Sequence, residues 1–332
     1  MTITLRDVAR EAGVSASAVS RSFSNGTPVS PETRARVLKV AARMGYRPNR
    51  LAASLTTGRT RLVGLVADDF SNPFMLRVID LFTRGLQTRG LRPLLISIDP
   101  AITGAEALRM LSEYAVDAAI LISGTLPMNF TRHFHQSGLP VVHAFARTSA
   151  APDGAQAGIN DSLIGRAAAH ALIDHGYRNL AFIGGPEKSL PSRSRFIGFN
   201  HIVGKQGIPV SATHASEWSH AAGRAAMQAR LAEGPLDGCF CADDVIALGA
   251  ISALRDAGLR VPQDVGVIGV NDIEIAGWEE VNLTTIALPV AEIVAACIGQ
   301  TEALITDPAT LPAAQVFAGE VILRGTLLAR PA

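Results

Sequence analysis

The residues from Thr4 to Asn25, TLRDVAREAGVSASAVSRSFSN, carry the strongest local signals for the fold at the beginning of the chain. Thr4 and Asp7 have the spacing of a capping box, which predicts a helix that begins directly after the threonine and ends at Gly13. Ser15 is a favourable N-cap for a second short helix that ends before Asn25. Two such helices joined by a Gly-Val-Ser turn are typical of a helix-turn-helix, although an ordinary helical hairpin has the same pattern.

The second helix of this pair has two different faces. Apolar side chains recur at helical spacing and predict a stripe that packs on a core: Val14, Ala18, Val19 and Phe23. The other face carries short polar or cationic side chains that leave room for another molecule: Ser17, Ser20, Arg21 and Ser24. A serine-rich run of this kind is either a linker or a binding surface, and the neighbouring charges decide between the two.

The charge of the chain is distributed very unevenly. Residues 1–61 contain eleven Lys and Arg and three Asp and Glu, a net charge of +8, whereas the whole chain carries +1. A strongly basic head on an acidic body is the electrostatic pattern of a nucleic-acid-binding protein. A solvated basic face is the alternative. We favour DNA, because the positive charge coincides with the helix pair and continues beyond it.

The amino-terminal segment contains two further predicted elements. Ser30 and Pro31 supply an N-cap and a proline for the first helical position, ahead of a helix over residues 34–44 that Gly45 ends. A short helix is expected over residues 50–55. The segment therefore reads as a compact three-helix head with a tail that ends near residue 60.

Composition limits the remaining possibilities. The 332 residues are enough for two or three domains, and 48% of them are hydrophobic, as in globular proteins. The sequence starts without a signal peptide, and the uncharged run 118–131 is too short to span a bilayer. Cys239 and Cys241 lie two apart on a predicted strand and are expected to be buried thiols rather than metal ligands. These features predict a cytoplasmic protein without a membrane segment.

From residue 62 onwards, buried strands alternate with amphipathic helices. Strands are predicted at 62–67, 93–98, 118–122, 141–145, 180–183, 238–241 and 265–270. Helices are predicted at 73–89, 103–114, 129–137, 162–175, 193–206, 219–232, 243–257 and 290–305. Strict alternation predicts doubly wound parallel α/β sheets, and the strands are too many for one compact sheet. We expect two lobes that divide near residue 160, with a ligand cleft at the carboxyl ends of the strands.

Motifs in a fixed order resemble the LacI/GalR family of bacterial transcription regulators over essentially the whole chain. They are Thr4–Ser15 (TLRDVAREAGVS), Val19–Arg21 (VSR), Glu32–Val37 (ETRARV), Gly45–Asn49 (GYRPN), Ser71–Phe74 (SNPF), Arg195–Phe199 (RFIGF), Asp264–Gly269 (DVGVIG) and Leu283–Ile286 (LTTI). The resemblance implies a helix-turn-helix domain over 1–47, a hinge helix and linker over 48–60, and an effector-binding and dimerisation domain over 61–332. That domain would resemble periplasmic binding proteins, with an N-lobe of about 61–159 and 288–318 and a C-lobe of about 160–287 and 319–326.

In this family the second helix lies in the major groove of DNA, and the hinge helix lies in the minor groove. The resemblance therefore implies DNA contacts from Thr4, Ser15, Ala16, Ser17, Ser20, Arg21, Asn25, Arg34, Tyr46, Asn49, Arg50, Ala52 and Leu55. Ala16, Ser17 and Arg21 occupy base-reading positions, and Arg21 contacts either a guanine or a phosphate. Leu55 matches a minor-groove wedge, with loose packing in a linker as its alternative. Two hinges paired in a dimer imply a palindromic operator.

The resemblance also implies an effector pocket between the lobes. Its expected residues are Phe74, Ser123, Phe145, Arg147, Arg195, Trp218, Asp243 and Asn271. Trp218 would stack on a ligand, and Arg195 would bind hydroxyls or a carboxylate, with a structural salt bridge as the alternative that we rank second. The two arginines favour a carboxylate and Asp243 favours hydroxyls, so the effector class is a sugar, polyol or sugar acid.

Two departures from the family pattern concern polar residues near this pocket. Asp243 stands where most relatives have Asn, and Asn271 stands where most have Asp, so the amide and the carboxylate have exchanged places and leave one acid facing the cleft. Both residues are expected to contact the effector. Asn160-Asp161 likewise reverses the usual Asp-Asn, which puts any carry-over of roles to these two positions in doubt.

An enzyme and a secreted solute-binding protein are the two alternatives. The sequence has no nucleotide-binding glycine motif after a strand and no Gly-x-Ser-x-Gly elbow, and its eight histidines lack metal-binding spacing. A solute-binding protein would suit the two lobes but not the +8 head. We therefore predict a non-enzymatic, cofactor-free regulator that binds a palindromic double-stranded DNA operator and a small-molecule effector. A homodimer is expected, since no heptad helix follows Arg324, and repression is the default in the family.

Overall fold

A computed structural model of the chain describes residues 3–23, 28–47, 58–68, 70–98, 102–122, 126, 128–145 and 154–329. Residues Met1–Thr60 and Arg61–Ala332 form two compact units. The helix predicted over residues 50–55 lies outside the described residues. Within them, none of the helices combines the length and apolar character that crossing a membrane requires.

The first unit contains the three predicted helices, α1 (Leu5–Ala12), α2 (Ala16–Ser22) and α3 (Pro31–Met44). The capping box at the start of α1 is present: the Thr4 hydroxyl accepts from the backbone N–H of Asp7, and the Asp7 carboxylate accepts from that of Thr4. Gly13 ends α1 at a φ of 63°, a left-handed conformation that suits glycine. The helix α3 begins at Pro31 rather than at residue 34, since Ser30 caps it.

A small apolar core holds these helices together. Its buried residues come from all three helices: Val8, Ala9, Ala12, Val19, Val37 and Ala41. Phe23 and Tyr46, beyond the ends of α2 and α3, pack edge to face with ring centroids 5.8 Å apart. The stripe predicted on α2 therefore contacts the core, with Val19 fully buried and the other three positions packed against it or half-buried.

The second unit contains two six-stranded sheets. The first has the order β11-β5-β4-β3-β1-β2, and all its strands are parallel. These strands are β1 (Leu62–Ala67), β2 (Arg92–Ser97), β3 (Ala118–Leu121), β4 (Val141–Ala144), β5 (Ala155–Ile159) and β11 (Ala314–Phe317). The helices of this N-lobe are α4 (Pro73–Thr88), α5 (Gly104–Glu113), α6 (Met128–Gln136) and α11 (Val290–Thr306).

The second sheet has the order β12-β10-β9-β8-β6-β7 and is parallel except for β12, which runs antiparallel to β10. Its strands are β6 (Leu180–Gly184), β7 (Val210–His214), β8 (Gly238–Cys241), β9 (Gly266–Asn271), β10 (Thr284–Ala287) and β12 (Glu320–Ile322). The helices of this C-lobe are α7 (Asp161–Asp174), α8 (Leu190–Lys205), α9 (His220–Ala232) and α10 (Asp244–Asp256), with a 3-10 turn at Glu274–Gly277. The chain passes between the two sheets after β5, β10 and β11.

The predicted doubly wound α/β fold is confirmed, but the seven predicted strands include neither β5 nor β7. The strand β5 has the sequence AQAGI, and only its last residue is a strong strand former. Pairing with β4 and β11 on its two sides makes it a strand. The strand β7, VSATH, is a polar edge strand that pairs only with β6 in the described sheet. In both cases the partner strands, rather than the local residues, determine the conformation.

Candidate functional sites

The helix α2 turns its predicted binding residues to solvent. Ala16, Ser17, Ser20 and Arg21 are exposed, whereas Val19 on the opposite side is fully buried. The Ser15 hydroxyl accepts from the backbone N–H of residue 18 at 3.1 Å, as expected of an N-cap, and lies 2.9 Å from the hydroxyl of residue 17. The exposed face therefore consists of a methyl group, small hydroxyls and one guanidinium, which allows close approach of a large partner.

The two arginines near α2 have different surroundings. Arg21 donates through Nε to the backbone oxygen of Ser17 at 3.3 Å and remains exposed. Arg34, on α3, donates through Nη1 to the backbone oxygen of Ser22 at 2.9 Å. This bond joins α3 to the C-terminal turn of α2. The structure thus gives Arg34 a packing role beside the DNA contact that the sequence predicted.

Of the remaining predicted DNA contacts, two make contacts within the protein and the others lie outside the described residues. The Thr4 hydroxyl is 2.6 Å from the Asp7 carboxylate within the capping box. Tyr46 is half-buried against Phe23, and burial raises the pKa of the Tyr46 phenol. Outside the described residues lie Asn25, Asn49, Arg50, Ala52 and Leu55.

The second unit holds a cavity of about 730 Å³, its open mouth included, at the carboxyl ends of the parallel strands of both lobes. Its apolar lining is Phe74, Met75, Ile122, Phe145, Ile159, Pro191, Trp218 and Leu288. Its polar lining is Asp68, Asn72, Asp161, Arg195, Asp243 and Asn271. A cavity with a mostly apolar wall and a few convergent polar groups has the character of a small-molecule site.

Six of the predicted effector residues line this cavity: Phe74, Phe145, Arg195, Trp218, Asp243 and Asn271. Phe74 and Phe145 form an edge-to-face pair with ring centroids 5.6 Å apart. Ser123 and Arg147 lie outside the described residues. The structure thus brings together aromatic and polar side chains from widely separated parts of the chain, while their contact with an effector stays a prediction.

Arg195 is already engaged within the protein. It is only 6% exposed, and its Nε donates to Oδ1 of Asp161 at 2.8 Å. Its Nη1 donates to the backbone oxygen of Ala242 at 2.6 Å. Burial raises the pKa of Asp161, and the neighbouring guanidinium opposes that rise. The salt bridge ranked second from the sequence is therefore present.

Asp243 is the centre of a buried hydrogen-bond network. Its Oδ2 accepts from Nδ2 of Asn271 at 2.7 Å and from Nδ2 of Asn72 at 3.2 Å. Its Oδ1 accepts from the backbone N–H of Val245 at 2.7 Å, which caps α10. Burial raises the pKa of Asp243, and the bond from Asn72 opposes the rise. Because Asn72 belongs to the N-lobe, this carboxylate connects the two lobes.

The adjacent acid, Asp244, is bonded within the C-lobe and does not line the cavity among the described residues. It is fully buried, accepts from the Thr285 hydroxyl at 2.6 Å and accepts from the backbone N–H of Ile273 at 3.0 Å. Burial raises the pKa of Asp244 well above its usual value. Of the exchanged pair, Asp243 is the acid that lines the cavity, as expected, and Asp68 and Asp161 add two further carboxyl groups to the wall.

Eight lining residues were not predicted as effector contacts: Asp68, Asn72, Met75, Ile122, Ile159, Asp161, Pro191 and Leu288. The rule that ligands bind at strand ends would have indicated Asp68, directly after β1, and Ile122, directly after β3. Asn72 caps α4, where its Oδ1 accepts from the backbone N–H of Phe74, and its second contact across the cleft has no sequence signal. Because the reversed Asn160-Asp161 pattern left the role of Asp161 in doubt, the sequence did not identify this residue as the partner of Arg195.

Comparisons with known proteins agree with this arrangement. Residues 4–49 match the family model described as bacterial regulatory proteins of the lacI family, and residues 169–327 match a periplasmic binding protein-like domain. The HTH-type transcriptional regulator RegA of Clostridium saccharobutylicum is 31% identical over 296 residues, which cover 87% of this chain and 88% of RegA.

Solved structures show the same fold. The lac repressor dimer bound to operator and an anti-inducer superposes with a TM-score of 0.87 at 24% identity, over 99% of this chain and 100% of that one. A complex of the transcriptional regulator CelR with cellobiose gives 0.71 at 27% identity, over 98% and 99%. This chain therefore belongs to the LacI family of bacterial regulatory proteins and is a DNA-binding transcriptional regulator rather than an enzyme.

Proposed function

We propose that this regulator represses transcription as a homodimer on a palindromic operator, and that a sugar-like effector in the cavity switches its operator affinity. The exposed face of α2, within a segment of net charge +8, supports the DNA-binding step most directly. Ser17 and Arg21 reach base edges or phosphates from this face, and Ala16 offers contact to a thymine methyl. Leu55 of the hinge wedges into the minor groove between two half-sites.

The effector step is supported by the cavity between the lobes. Both lobes contribute polar side chains to it, and Asn72 and Asp243 already form a hydrogen bond across it. A ligand that bridges the same gap changes the relative stability of open and closed lobes. It acts on DNA binding only as far as its affinity differs between the two states. The cellobiose bound by the related CelR makes a sugar the first class to test.

Affinity selection of sheared genomic DNA from the source organism on the purified full chain tests this function. We expect a near-palindromic sequence to be enriched, and we expect the Leu55→Ala variant to recover it poorly. The genes beside the recovered sites then indicate the pathway of the effector. Equal, sequence-independent recovery by both proteins at low salt would contradict operator recognition and would favour a solute-binding protein without a transcriptional role.

A further inference from the structure

Two histidines of the N-lobe, which are not among the described lining residues of the cavity, form a close pair. Nε2 of His135, on α6, lies 3.2 Å from Nε2 of His143, on β4. The rings are 27° from parallel with centroids 5.2 Å apart, and both side chains are half-buried. Because one histidine comes from a helix and the other from a strand, the fold creates a pair that no helical metal-ligand spacing in the sequence indicates.

A buried amide lies on the same side of the sheet as this pair. Along β5, Ala155 and Ala157 belong to the core that α11 covers, so Gln156 between them faces the opposite side. His143 is the register partner of Gln156 on β4, and the residues on either side of His143 belong to the same core as the two alanines. Both polar side chains therefore lie next to each other on the face of the sheet that carries α6.

The amide of Gln156 lacks a partner of its own. The residue is 6% exposed, and among the described residues its Nε2 has no hydrogen-bond partner. Buried polar groups are normally bonded, so this amide indicates that a polar group binds beside the histidines. Gly154, two residues earlier, allows the rings to approach the strand, because a Cβ there would lie 2.8 Å from Cε1 of His135.

The separation of the two ring nitrogens is that of neighbouring ligands on one metal ion. Zinc binds imidazole nitrogen at about 2.0–2.1 Å, and two corners of a tetrahedron of that size are about 3.3 Å apart. The observed distance is 3.2 Å. A hydrogen bond in which one ring donates and the other accepts is the alternative explanation of this distance. It leaves the amide of Gln156 unpartnered, whereas an ion can be bound by its side-chain oxygen once the amide is turned over.

We propose that His135 and His143 bind a late first-row divalent cation such as zinc through Nε2, with the side-chain oxygen of Gln156 as third ligand. Imidazole is a favourable ligand for these ions. Within the described part of the chain, no further His, Cys, Asp or Glu joins the pair in a metal-binding group, so water completes the coordination. The bound ion joins α6 to the sheet of the N-lobe, and the site is independent of operator and effector binding.

Zinc titration of the full-length, tag-free and metal-free protein tests the site. The probe is Zn²⁺ alone, in isothermal titration at pH 7 in a buffer that does not chelate metals. We expect one ion per chain, and at least tenfold weaker binding in His135→Gln and in His143→Gln. His133→Gln is the matched control, since this exposed histidine lies on the same helix, and it should leave the affinity unchanged. Absence of saturable binding by the wild type, or equal affinity in all four proteins, overturns the proposal.

The Gln156→Leu variant tests the third ligand. Leucine fills a similar space at this buried position but has no oxygen, so we expect Zn²⁺ to bind at least threefold more weakly while the stoichiometry stays the same. An affinity equal to that of the wild type overturns the assignment of Gln156 as a ligand.

Thermal unfolding with and without Zn²⁺ gives a second readout on the same preparations. An ion that binds only the folded chain raises the thermal midpoint by mass action. We expect this rise in the wild type and in His133→Gln, and its loss in His135→Gln and His143→Gln. An equal rise in all four proteins overturns the proposal. Should one of the two variants not fold, the other decides, and neither measurement depends on DNA or on an effector.

Discussion

The head and the effector-binding unit hold their candidate residues in opposite ways. On α2, Ser17, Ser20 and Arg21 are exposed, and Arg21 donates through Nε to the backbone oxygen of Ser17 in the same helix. In the cavity, Arg195 and Asp243 are nearly inaccessible and are hydrogen-bonded to residues far away in the sequence. The surface proposed to read DNA is thus separable from the stability of its unit, whereas the cavity wall is part of the structure that holds the lobes together.

The largest expected effect is the loss of stability on Arg195→Ala. Removal of the guanidinium leaves Asp161 buried without its counter-charge, which costs about 3–5 kcal/mol in comparable buried pairs. Urea unfolding of the full chain, with the transition of the second unit followed separately, measures this loss. Arg224→Ala is the control, because its salt bridge with Asp256 is about half exposed and is worth about 0–1 kcal/mol. Equal losses in the two variants would remove the distinction between cavity and surface.

Arg21→Ala is expected to affect DNA binding and not folding. Loss of a base contact would weaken operator binding by about 1–3 kcal/mol and relax specificity at one position, whereas loss of a phosphate contact would lower the salt slope by about one. The thermal midpoint should stay within error, because the side chain is exposed. Titration of labelled operator at several salt concentrations distinguishes the two roles, with the exposed Arg84→Ala as control. Undiminished affinity would place the reading surface elsewhere.

Asn72 allows the contact across the cleft to be separated from helix capping. Asn72→Ala removes both the cap of α4 and the bond to Asp243, and we expect a loss of about 1–3 kcal/mol. Asn72→Ser retains a good N-cap but is too short to keep the 3.2 Å bond, so it should recover only part of the loss. Chemical denaturation of the three proteins measures the difference. Full recovery by serine would mean that the bond between the lobes contributes no stability.

The smallest expected effect is a change of slope with pH at Asp244. Its pKa is raised in the folded state, so the folded protein binds a proton more readily than the unfolded chain. Stability from this group is therefore highest below the unfolded pKa and falls as the pH rises towards the folded pKa. Asp244→Asn removes that contribution, and the wild type should gain stability relative to the variant on acidification. Urea midpoints measured from neutral pH downwards test this, and parallel curves would contradict it.

Much of the fold was predictable because its signals are local. Three of these signals lie at helix ends: the capping box at Thr4, the glycine after α1 and the proline at the start of α3. Each acts on the backbone within four residues of its own position. The hydrophobic pattern that distinguishes a buried strand from an amphipathic helix likewise lies within each element. The strands β5 and β7 escaped prediction because β5 has few strand-forming residues and β7 is a short, polar edge strand, and pairing with their neighbours fixes both.

The candidate site was predictable in its members but not in its connections. Resemblance to a family indicated Arg195, Trp218, Asp243 and Asn271, and all four line the cavity. It ranked the salt bridge of Arg195 second, although the structure contains it. It also treated Asp243 and Asn271 as two separate contacts for an effector, whereas the structure joins them by a hydrogen bond of 2.7 Å.

Local sequence signals are enough to predict the three-helix head, the basic charge of residues 1–61 and the α/β character of the remainder, because capping, periodicity and charge are properties of neighbouring residues. The three-dimensional arrangement alone reveals that Asp161 pairs with Arg195, 34 residues away, and that Asn72 reaches Asp243, 171 residues away. Burial makes such partners matter. When a charged group is removed from water, its pKa and its remaining capacity to bind a ligand depend on the few groups that the fold places beside it.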